Sequence, residues 1–80
     1  MLFLIEYDRP SGTIKEMRTF DDSSRRLAED ARLELELRLN REGVQHEVVL
    51  LEASSEEALR RTHSRYFEGI AEMAREKLPT

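Results

Sequence analysis

No cysteine occurs in the chain, so neither disulfides nor thiolate chemistry contributes, and a reducing compartment suits it. Tryptophan is absent too, and aromatic residues make up only 6%. No aromatic platform is interleaved with basic residues on a strand, as a single-stranded RNA surface requires. The three glycines stand apart from one another, which excludes a glycine-rich phosphate loop. Pro10 falls in a turn and Pro79 near the last residue, and there is no linker, repeat or low-complexity stretch. Met1 to Ile5 is an apolar run, but Glu6 follows it and no basic residue precedes it. That is far too short for a signal-peptide core or a membrane span, so the expected localisation is cytoplasmic. An excess of positive charge is lacking as well: 17 acidic residues face 13 basic ones, for a net charge of −4. This balance favours solubility and disfavours a polyanion as partner.

What is present is charge and leucine. Charged residues make up 38% of the 80 residues. A chain of this length forms one domain with a thin core. Ala31 to Leu39 reads A-R-L-E-L-E-L-R-L, the strict alternation of a half-buried strand. Every residue in it is nevertheless a strong helix former, and none is β-branched or aromatic. Asp21, Asp22, Ser23 and Ser24 offer N-cap oxygens, and Gly43 offers a stop. Propensity and caps together predict a helix from about Asp22 to Arg41. At about 100° per residue, Leu27, Ala28, Ala31, Leu35 and Leu39 share one stripe, while Leu33 and Leu37 point to nearly the opposite side.

The rest of the chain reads as two strands before this helix and a strand and a helix after it. Leu2 to Tyr7 and Thr13 to Phe20 form a hairpin around Asp8-Arg9-Pro10-Ser11-Gly12, in which Pro10 presets a type I turn and Gly12 takes the αL position. Pairing Arg9 with Thr13 sets Tyr7 opposite Lys15, Ile5 opposite Met17 and Phe3 opposite Thr19. Val44 to Leu51 forms the third strand. Ser54 with Glu57 fits a capping box opening a last helix that runs toward Lys77. The expected fold is α+β, ββαβα in chain order. It has a single layer of three-stranded, mainly antiparallel sheet in spatial order 2-1-3, with 1-2-3 as the alternative, and two helices packed on one face. One domain covers residues 1–80, with 70–80 an overhanging or frayed helix end.

Surplus apolar surface predicts self-association. Leu33 and Leu37 make one patch, Leu4 and Ile14 mark a second sheet face, and Ile70 and Met73 mark the end of the last helix. A closed homodimer is the default solution. Catalytic signals are weak. His46 and His63 are the only histidines, and neither has a His or Cys at metal-ligand spacing. His63, Tyr66, Arg61 and Arg65 cluster near the last helix, but Ser64 adjoins His63 and diverges from it on a helix, so the two make no nucleophile–base pair. Arg61 and Arg65 share their face with Glu57, Glu68 and Glu72, a mixed, solvated surface. No catalytic residue, cofactor or metal site is predicted. The sequence points to a homodimeric interaction or regulatory module without catalytic activity. The alternative is a nucleic-acid-associated protein using a basic surface formed on dimerisation. Partners are thus a second copy and an unidentified protein, with no membrane and with nucleic acid disfavoured.

Overall fold

A computed structural model describes residues 1–64. Strand β1 runs over Leu2–Asp8, β2 over Thr13–Phe20 and β3 over Glu47–Glu52, in the order β2-β1-β3 with both pairings antiparallel. Helix α1 covers Arg25–Glu42 after a 3-10 turn at Asp22–Ser24, and α2 covers Glu56–Thr62. The α+β class, the ββαβα order, the 2-1-3 sheet and the helical state of Ala31 to Leu39 are as the sequence predicts. The most uniformly apolar strand takes the centre because it alone is flanked by a strand on each edge and covered on both faces. All of Leu2 to Tyr7 is buried.

The two helices divide between the sheet's faces instead of sharing one. Leu4 packs with Ala31, Leu35 and Leu39 of α1, joined by Phe20, Val44, Val48 and Leu50. Phe3, Ile5 and Tyr7 pack with Leu59 of α2, joined by Ile14, Met17, Val49 and Leu51. A strand apolar at both odd and even positions needs a cover on each side, and this division supplies it. Leu4 is therefore only 1% exposed, beneath α1. Ile14 lies on the opposite face from Leu4, against the Phe3 cluster. Neither residue marks an uncovered sheet face.

The displacement of Ile14 comes from a bulge. Ile5 pairs with Met17 and Glu6 with Glu16, but Tyr7 pairs with Ile14 and Asp8 with Thr13. Lys15 is the extra residue, and it turns Ile14 over to the Phe3 side. The expected pairs Phe3–Thr19 and Ile5–Met17 hold, whereas Tyr7–Lys15 and Arg9–Thr13 do not. The turn itself is as expected: Gly12 has φ 66, and its N–H donates to Asp8 O at 2.8 Å.

The ends of the elements differ in detail. No side-chain cap bond forms at Asp21 or Ser24. Leu27, expected on the buried stripe, is 63% exposed because it sits on the flank of the first turn. At the other end Gly43 is left-handed, with φ 70. Its N–H donates to Asn40 O, and the Val44 N–H donates to Leu39 O at 2.9 Å. This is a Schellman closure, completed by the packing of Val44 with Leu39. Val44 is thus part of the cap, and β3 begins only at Glu47. A Cβ at Gly43 would meet nothing within 4 Å, so substitution there costs backbone strain alone. Gly43→Ala is expected to lose about 1–2 kcal/mol, read as a lowered thermal midpoint, and Gly43→Asn should lose less. The cap of α2 is Ser55, not Ser54, and its hydroxyl accepts from the Ala58 N–H at 3.1 Å. Helix α2 ends at Thr62, with His63 as its cap residue. The expected continuation to Lys77, with Arg65, Tyr66, Ile70 and Met73, lies outside the described residues. Among those described, no helix is long and apolar enough to cross a membrane.

Candidate functional site

Helix α1 positions the candidate surface. Its alternating leucines split between its two sides, as a period of about 3.6 residues dictates. Leu35 and Leu39 are buried, whereas Leu33 is 55% and Leu37 51% exposed. Neither exposed side chain serves the sheet. Leu33 and Leu37 lie one turn apart, so they present a small apolar strip to solvent, bounded by Arg26, Asp30, Asn40 and Arg41.

A groove of about 370 Å³ runs beside this strip, between α1 and β2. It exists because α1 packs mainly over β1 and β3, leaving the β2 side of that face less covered. Leu4, Ala31 and Leu35 line its apolar base, with Leu37, Glu34, Arg38 and Arg41 from α1 and Glu16 and Arg18 from β2. Arg18 also lies over the Phe20 ring, 5.1 Å from its centroid, a geometry that favours a cation.

One end of α1 holds a polar network that sequence reasoning missed. Glu6 is 7% exposed and is the one buried charged residue among those described. Its position in β1 aims it at the α1 side of the sheet. There His46 Nδ1 lies 2.5 Å from Glu6 Oε2, and Arg38 comes within 4.0 Å of both Glu6 and Glu16. The far ring nitrogen of His46 is 4.0 Å from Asp8. Arg38 thus serves the sheet rather than Glu34, its neighbour four residues earlier. Glu6 and Glu16 are direct cross-strand partners, so the Arg38 cation between them offsets a like-charge pairing. The signal was a glutamate inside an apolar central strand, which demands a partner. His46 was not identifiable as that partner because it precedes β3 and reaches Glu6 only through the fold.

A carboxylate–imidazole pair orients a base, but nucleophilic catalysis needs a third group. Among the described residues, no hydroxyl, thiol or amine lines the groove or the smaller cavity beside His46, formed by Glu36, Leu39, Asn40, Val44 and Val48. Among the described residues, no three His, Cys, Asp or Glu side chains gather to hold a metal ion. His63 is half-buried at the end of α2, and its backbone N–H donates to Leu59 O at 2.8 Å. Arg61 pairs with Glu57 one turn away on the exposed side of α2. The structure brings neither of them to the groove or to the Glu6 network. Comparison with protein-family models, curated proteins and solved structures finds no match to this chain.

Proposed function

We propose that this protein is a small homodimeric interaction or regulatory module with no catalytic activity of its own. The observation that carries the reading is the Leu33–Leu37 strip, half exposed on a helix whose other side already fills the core. The groove beside it, an apolar base flanked by Glu16, Glu34, Arg18, Arg38 and Arg41, fits a role in binding.

Magnitudes set the strength of the association. Burying the exposed halves of four leucines contributes about 3–6 kcal/mol. The loss of translational and rotational freedom costs about 4–15 kcal/mol. The leucines alone therefore reach only the lower edge of that range, and a micromolar Kd needs a net of about 8 kcal/mol, so a dimer of that strength requires the flanking surface of α1 to be buried along with the leucines. Sedimentation equilibrium from ten to several hundred micromolar tests this. The expected result is a mass rising from 9.4 kDa toward twice that value, with Leu33→Arg plus Leu37→Arg abolishing the rise while the circular dichroism stays unchanged. A single 9.4 kDa species at the highest concentration overturns the reading.

A further inference from the structure

The geometry points to an antiparallel pairing of α1 with α1 of a second copy, in which Leu33 meets the partner's Leu37 and Asp30 meets the partner's Arg41. This rests on the homodimer reading and specifies which way the subunits face. The argument comes from how charge is distributed around the strip.

Asp30 and Arg41 are both exposed, and neither has an ion-pair partner among the described residues. At about 100° per residue they fall on the same flank of the Leu33–Leu37 strip, roughly 40° and 60° from its centre. Along the axis they lie almost symmetrically about position 35, the midpoint of the two leucines. A two-fold axis through that midpoint, normal to the plane of the paired helices, matches each flank with itself and reverses the chain direction. It sets Leu33 level with the partner's Leu37. It brings Asp30 to within about 1.5 Å, along the axis, of the level of the partner's Arg41. On the other flank Glu29 meets the partner's Asn40, a donor for its carboxylate. Glu34 and Glu36 are nearest the axis but lie about 80° off the strip, where they stay hydrated, and Glu36 is already paired with Arg32 at 3.5 Å.

A parallel pairing crosses the flanks instead. It sets Asp30 level with the partner's Glu29, a like-charge contact at each of two places, and leaves Arg41 without a carboxylate. The charge pattern therefore selects one orientation of the same leucine strip. Because Glu34, Arg38 and Arg41 sit on the Asp30 flank, the antiparallel two-fold also opens both α1–β2 grooves on the same side of the dimer.

Charge reversal separates the alternatives. Dimer affinity is measured by sedimentation at 50 mM salt for the parent chain, Asp30→Arg, Arg41→Asp and the double variant. All substituted positions are exposed, and circular dichroism checks that each variant is folded. Each single reversal should weaken the dimer about tenfold or more, because two ion pairs become two repulsions. The double variant should recover to within about threefold of the parent. Tighter association of Asp30→Arg, or no recovery in the double variant, overturns the antiparallel arrangement. If the singles have no effect while Leu33→Arg plus Leu37→Arg dissociates the dimer, the arrangement fails and the homodimer reading stands. A parent chain that stays monomeric at several hundred micromolar overturns both.

Discussion

Phe3→Ala is expected to destabilise this protein by about 3–5 kcal/mol. Phe3 is 1% exposed near the start of the central strand, and it packs with Ile5, Tyr7 and Leu59. Truncation removes the apolar burial of the ring and leaves a cavity between β1 and α2 that a hydrogen-bonded sheet cannot collapse to fill. A domain of this size has a total stability of about 4–12 kcal/mol. The variant is thus expected at the margin of unfolding at 37 °C, with a urea midpoint well below that of the parent and an unchanged slope. A loss under 1 kcal/mol would show that Phe3 does not sit in the core. Leu33→Ala makes a useful contrast. It removes a comparable apolar side chain from an exposed position and should shift the monomer's stability by no more than about 0.5 kcal/mol.

The second large effect concerns Glu6 and His46. His46→Ala is expected to lose about 2–3 kcal/mol, because it leaves a buried carboxylate with only the more distant Arg38 for company. Glu6→Gln alone loses less, since the amide keeps a hydrogen-bonding oxygen toward His46. Replacing both partners, as Glu6→Leu with His46→Leu, should cost less than His46→Ala alone. It removes the desolvated charge together with the need to satisfy it. A double-mutant cycle measured by urea denaturation reads the coupling directly, and values between about 0.5 and 3 kcal/mol are expected. Strict additivity would mean that the 2.5 Å contact contributes nothing to stability.

These two sites illustrate what the chain discloses before folding and what it does not. The helical state of Ala31 to Leu39 could be read because propensity outweighs periodicity when every residue in a window favours one state. The alternation that imitates a strand splits into two uses: Leu35 and Leu39 face the sheet, and Leu33 and Leu37 face away. The central place of β1 could be read from its unbroken apolar run. The face taken by α2 could not, because that same run gives no parity to choose by. The bulge at Lys15 was hidden for a related reason. A four-residue loop closes on Asp8 and Thr13, and the strand absorbs the odd residue wherever it strains least. Beyond the bulge the expected register holds. Of the Glu6–His46–Arg38 network only the need for a partner to Glu6 could be read; its partners could not, since they lie on two other segments more than thirty residues further along the chain.

The 2-1-3 strand order also sets a timetable for synthesis. Strands β1 and β2 are adjacent in the chain, and a hairpin closes in about 1–10 μs. The second partner of β1 is β3, which ends at Glu52, well after β2 ends at Phe20. At about 5–20 residues per second, the ribosome needs roughly 2–6 s to produce that interval. During those seconds the strand destined for the middle of the sheet has one edge open; α1, which ends at Glu42, is finished only partway through, and α2 follows β3. The nascent chain therefore presents its most aggregation-prone segment early and completes it late. The charged outer strand β2, with Lys15, Glu16 and Arg18, is the only sheet partner it has throughout that interval.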